Sequence, residues 1–164
     1  MSMIGYALTL SSADLDQAAA DPDWALGLVE DLEEADDDTA TGPRLLDLDK
    51  AWAAVAFALG RALFPVDVIH GEQPLTEDEW GYGPPRYLTP ARVQEAAAAF
   101  AATTPEALLA DVSAELLDEA DVYPGGWQDD PGTVQEYVLP SLRDLTDLYA
   151  DAAADGYSVV VWLG

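Results

Sequence analysis

The segment Tyr157-Ser158-Val159-Val160-Val161-Trp162-Leu163 constrains the fold more than any other part of the chain. It is apolar and β-branched at consecutive positions, so a strand built from it presents apolar side chains on both faces. It predicts a central strand with helices or loops packed above and below it. A second strand is expected at Met3-Ile4-Gly5-Tyr6-Ala7-Leu8-Thr9-Leu10, where Ile4, Tyr6, Leu8 and Leu10 alternate and form the inward face. The two segments are expected to lie next to each other in one small sheet.

Helix signals fill most of the chain between these strands. Ser11 or Ser12 is placed to cap a short helix through Ala20, and Asp21-Pro22 to start another with the stripe Trp24, Leu28 and Leu32. Asp47 or Asp49 is expected to cap a helix running through Trp52, Val55, Ala56, Leu59 and Leu63, buried nearly all round and ended by Pro65. Thr89-Pro90 and Thr104-Pro105 each open a further helix, and Leu116 and Leu117 mark a short one. Thr133 and Glu136 have the spacing of a capping box before a stripe of Val138, Leu142, Leu145 and Tyr149. Pro140 lies inside that pattern and has no amide hydrogen, which predicts a kink or a restart. Gly156 is placed to end the helix in the left-handed region.

From Val66 to Arg86 there is no sustained period, and Arg86-Tyr87-Leu88 reads as a short strand. An irregular stretch of that length inside a domain is more often functional than incidental. The sum is a mainly helical α+β fold over residues 1–164, a single domain on a small sheet that includes the first and last strands. A chain of 164 residues buries roughly 70% of its unfolded surface, so its core needs no metal or cross-link.

The charge is lopsided. Asp and Glu number 32 against 6 Lys and Arg, a formal net charge of −26 in a chain that is 50% hydrophobic. Such a field repels nucleic acid and anionic lipid, leaving basic proteins, cations and neutral small molecules as partners. Alanine-rich helices and the excess of Arg over Lys also fit an acidic surface inherited from lineage composition and kept for solubility. Glu30, Asp31, Glu33, Glu34, Asp36, Asp37 and Asp38 form the densest run, a candidate acidic contact surface with no cation among them. Asp36 to Asp38 fail as a calcium loop opening at Asp36, with no Gly at the sixth position and no Glu at the twelfth.

No cofactor and no metal are expected. There is no Cys and only 1 His, so thiolate chemistry and two-histidine metal sites are excluded. No nucleophile elbow, Walker loop or dinucleotide fingerprint occurs. The chain shows no secretory leader and no apolar run of membrane length, so a soluble cytoplasmic protein is expected.

Two weaker constellations remain. In the first, Asp49, Lys50 and Trp52 set the lone Lys beside acids and an aromatic ring, although a cap and a core Trp account for the same residues. In the second, His70 and Glu72 form a proton-transfer pair followed by Trp80 and Tyr82, which suit a sugar ring or flat ligand. A surface His beside a turn Gly, with aromatics holding the loop to the core, is the plainer account.

These same residues carry a likeness. Met3-Ile4-Gly5-Tyr6, Leu46-Asp47-Leu48-Asp49-Lys50-Ala51-Trp52, Gly71-Glu72, Tyr123-Pro124 and the closing helix into Tyr157–Leu163 occur in order across nearly the whole chain. In them the sequence resembles the YfbM-like family of small bacterial proteins of unknown function. The resemblance implies a bacterial, single-domain α+β protein and brings no catalytic residue with it.

The leading functional expectation is a non-enzymatic binding protein that meets a basic partner through its acidic surface, as an immunity-like protein meets the basic cleft of a toxin. The alternative is an enzyme or small-ligand binder with a pocket between the Asp49-Lys50-Trp52 segment and the His70–Tyr82 loop.

Overall fold

The fold follows from the two-faced last strand. In a computed structural model describing residues 2–35 and 42–164, the strand β5 (Ser158–Leu163) is the middle strand of a five-stranded sheet. The other strands are β1 (Gly5–Leu10), β2 (Leu45–Asp47), β3 (Gln73–Pro74) and β4 (Arg86–Leu88), in the order β2-β1-β5-β4-β3. Every pairing is antiparallel. β1 and β5 run the full length of each other, from Gly5 opposite Leu163 to Leu10 opposite Ser158. Just beyond them, Ile4 and Gly164 exchange two further backbone bonds of 2.8 and 2.9 Å.

The period of two along β5 divides the interior. Val159 and Val161 enter the larger core, with α3 (Trp52–Arg61), α4 (Pro90–Ala101) and α7 (Leu139–Asp155). Val160 and Trp162 enter a smaller core under α1 (Ser12–Ala20) and α2 (Pro22–Glu34). Each fully buried Val contributes about 1.5–3 kcal/mol relative to exposure, so covering both faces is worth several such terms. β1 is sandwiched too. Tyr6, Leu8 and Leu10 pack on the smaller core as their alternation predicts, but Ala7 and Thr9 are buried as well.

Most helix starts are where the local signals put them. The side chains of Ser11, Asp21 and Thr89 accept from the amides of Asp14, Trp24 and Arg92, and Thr104 and Ser113 do the same for α5 (Pro105–Leu109) and α6 (Ala114–Glu119). Gly156 closes α7 at φ 70° and ψ 27°. Pro140 marks a restart: a π-helical segment, Val134–Val138, precedes it, and α7 begins at Leu139.

Three expectations are corrected. Thr133 makes no capping bond, because at φ −56° and ψ −33° it already has helical geometry and its hydroxyl cannot face the following amides. Neither Asp47 nor Asp49 caps α3: Leu45–Asp47 is a strand, and a 3₁₀ turn over Asp49–Ala51 leads into the helix. Leu63 is not on the buried stripe, since α3 ends at Arg61 and Leu63 is 88% exposed. The helix therefore stops before Pro65 is reached. The stretch between α3 and β4 is irregular apart from β3, and is pinned to both cores by Val66, Val68 and Ile69 on one side and Leu75 and Trp80 on the other.

Candidate functional site

The turn from β2 into α3 is built by two aspartates. The Asp47 carboxylate accepts from the Asp49 amide at 2.6 Å, and Asp49 takes φ 46°, a left-handed value that Asp tolerates better than most residues. Asp49 Oδ2 then accepts from the Tyr137 hydroxyl at 2.7 Å, while the same hydroxyl accepts from the Lys50 amide at 2.9 Å. Burial, followed by the bond to Asp49, pushes the Tyr137 phenol up to about 12, so it stays a donor at neutral pH. Lys50 is half-buried, and its ammonium forms no ion pair among the described residues.

Trp52 is anchored from three sides. Its indole Nε1 donates to the Met3 carbonyl at 3.0 Å, and its ring stacks on Tyr123 with centroids 5.8 Å apart. The His70 ring meets it edge-on at 6.1 Å. Gly5 lies so close that an added Cβ would stand 2.5 Å from the Trp52 Cβ.

His70 and Glu72 serve the loop that carries them. Asp67 Oδ1 accepts from the His70 amide at 2.9 Å and lies 3.3 Å from His70 Nδ1. That side-chain hydrogen bond raises the His70 pKa against the opposing effect of burial. Glu72 is clasped by Arg92, with Nε and Nη2 each 2.8 Å from a carboxylate oxygen. The Arg92 bonds lower the Glu72 pKa, and the same guanidinium also reaches Glu95 and the Pro65 carbonyl. Arg86 Nη2 holds the Glu72 carbonyl at 2.6 Å. Asp49 and Glu72 are thus committed to different partners, Tyr137 and Arg92.

Trp80 lies across the sheet from Trp52. It belongs to the smaller core, edge-to-face with Trp162 at 5.1 Å, and Trp162 in turn stacks on Tyr6 at 5.2 Å. Its indole Nε1 has no hydrogen-bond partner among the described residues. Tyr82 is 45% exposed and is fixed by its amide, which donates to the Leu163 carbonyl at 2.9 Å. The structure therefore brings Asp49, Lys50 and Tyr137 together, and Trp52 with His70. It does not gather these with Glu72, Trp80 and Tyr82 around one pocket, because the sheet stands between the two tryptophans.

A larger concavity than any around these residues lies elsewhere among the described residues. A groove of about 1190 Å³ runs between the end of α2, β2 and the outer face of α7. Glu33, Asp47, Asp144, Asp151 and Asp155 line it together with Tyr6, Leu32, Leu45 and Leu46, and Arg44 is the one cation in the lining among the described residues. Arg44 is already paired with Asp151. The negative potential registers on Tyr6, whose pKa is raised by burial first and then by Asp47, Glu33 and Asp49. Glu30, Asp31, Glu33 and Glu34 are all exposed on α2; Asp36, Asp37 and Asp38 lie outside the described residues. Sequence reasoning missed the α7 contribution, although Asp144, Asp147, Asp151 and Asp155 recur at steps of three and four along one helical face.

No carboxylate is buried among the described residues, and Thr9 and Ser158 are the buried polar ones. No group of three or more His, Asp or Glu among them is arranged to hold a metal ion. No described helix is long and apolar enough to cross a membrane.

Comparison with known proteins agrees with this architecture. The structure is similar to the crystal structure of a protein of unknown function, YfbM from Escherichia coli, with a TM-score of 0.70 and 19% identity over 99% of this chain and 100% of that one. At that identity the likeness speaks for the fold. No curated protein sequence matches the chain. A family model described as a domain of unknown function, DUF1877, matches residues 1–162. The chain accordingly belongs to the DUF1877 family, with a YfbM-like fold.

Proposed function

We propose that the chain is a non-enzymatic binding protein that receives a basic segment of a partner protein in the groove between α2, β2 and α7. The lining of that groove supports the reading: five carboxylates against Arg44, sharing the surface with Tyr6, Leu32, Leu45 and Leu46. A segment that mixes Lys or Arg with apolar residues would gain ion pairing and burial at once. The net charge of −26 would steer its approach, an effect worth roughly 10- to 1,000-fold in association rate at low salt. Exposed charges are screened beyond about 8 Å at physiological ionic strength, so affinity should fall steeply with added salt.

The test separates the groove from the general field. A peptide alternating Arg and Leu is titrated against wild type, against the groove variant Glu33→Gln/Asp144→Asn/Asp155→Asn, and against Glu115→Gln/Glu119→Gln/Asp129→Asn, which removes the same charge elsewhere. The groove variant is expected to lose about tenfold in affinity, the equivalent of 1.4 kcal/mol, and the control much less. Equal losses, or binding indifferent to salt, would overturn the reading.

A further inference from the structure

The end of α3 carries two residues that work against the fold. Residues 59–64 form a Schellman closure: the Phe64 amide donates to the Leu59 carbonyl at 3.0 Å and the Leu63 amide to the Gly60 carbonyl at 3.2 Å. The left-handed position of that motif is the place for Gly, yet Leu63 occupies it at φ 54° with its side chain 88% exposed. Gly sits three residues earlier instead, inside the helix, where it weakens helical structure. Nothing lies within 4 Å of where a Gly60 Cβ would be, so close packing within the chain does not explain it.

The space over Gly60 is part of a hollow. Ala56, Gly60, Phe64, Val66, Ile69 and Asp67 are among the residues lining an open recess of about 160 Å³. A cavity near 150 Å³ accepts a benzene-sized apolar group. One turn therefore presents an apolar projection beside an apolar recess of matching scale. Charge is complementary as well. Arg61 is exposed beside Leu63, while Asp67 at the recess directs its described hydrogen bonds through Oδ1 and leaves Oδ2 without a partner among the described residues.

We propose that this turn is a self-association surface, with Leu63 of one copy seated in the Gly60 recess of a second copy and Arg61 facing the second copy's Asp67. Projection and recess lie on the same chain, so a two-fold arrangement satisfies both at once. The Leu63 and Gly60 choices, unfavourable in the isolated chain, then have a use. The contact is independent of the acidic groove and has the opposite salt response: two chains of −26 repel, so screening should promote apolar pairing.

Sedimentation equilibrium of the full chain at about 0.05 M and about 0.5 M NaCl decides the matter. Wild type is expected to approach twice the monomer mass at high protein concentration, more readily in the higher salt. Leu63→Gly and Gly60→Leu should both stay monomeric while melting no lower than wild type, because each restores the residue its backbone position favours. Three results would overturn the proposal: a wild type monomeric in both buffers, variants that associate like wild type, or association that weakens as salt is added. The last would implicate the acidic groove or another charged contact instead.

Discussion

At the scale of single residues, the side chains that looked chemical act as ties between distant parts of the chain. Asp49 and Tyr137 are 88 positions apart and Glu72 and Arg92 are 20 apart, so no local pattern could have named the partners. What was legible was that Asp49, Trp52, His70 and Glu72 are unusual; why they are unusual required the tertiary contacts. Gly5 shows the same dependence. A Cβ there would meet the Trp52 Cβ at 2.5 Å, inside any normal approach, so Gly5→Ala is expected to lower stability in urea by about 1–3 kcal/mol. The Asp67–His70 pair makes a prediction in pH. His70 has a raised pKa, so its contribution is complete below its unfolded value of about 6.5 and fades as pH rises through the folded value. Hydrogen bonds from the His70 ring and from the His70 and Ile69 amides outweigh burial and hold the Asp67 pKa down. Its contribution is present above about pH 3.9 and fades as pH falls through the lowered value. Both side chains are about half exposed, at 52% and 51%, and solvent screening keeps the pair below about 1 kcal/mol. The melting-temperature gap between wild type and His70→Gln should be widest near pH 5 and narrow toward about pH 9.

At the scale of elements, legibility tracked how local the signal is. Capping by Ser11, Asp21, Thr89 and Thr104 needs only three residues of context, and the sequence pattern located the last three and narrowed the first to Ser11 or Ser12. β5 announced itself because consecutive apolar β-branched residues cannot be satisfied with one covered face. The failures have the converse cause. β2 is three residues long, too short to display a period, and is a strand only because β1 pairs with it. Thr133 has the right spacing to Glu136 but the wrong backbone geometry, helical already at the residue before a π-helical turn. This contrast is measurable. Thr89→Ala should cost about 1 kcal/mol of stability through the lost cap, whereas Thr133→Ala should change stability by no more than about half that.

For the whole molecule, the separation of apolar from anionic material is the governing fact. The described core is almost wholly hydrophobic, and the carboxylates remain half-buried or exposed, which composition alone could suggest but not locate. The groove was illegible because three elements distant in sequence contribute its acids. Self-repulsion at −26 opposes the compact state, so the melting temperature should climb as NaCl rises from about 0.05 to about 0.5 M. A curve flat in salt would mean that the charges are locally compensated. The ladder between β1 and β5 has a further consequence for how the chain is made. Because the central strand follows the other four described strands in sequence, a ribosome must deliver Leu163 before the opening strand can find its principal neighbour. Until then β1 has only the three-residue β2 beside it, an exposed edge of the kind chaperones and aggregates compete for. The decisive folding step of this sheet therefore waits on a strand remote in sequence from its partner.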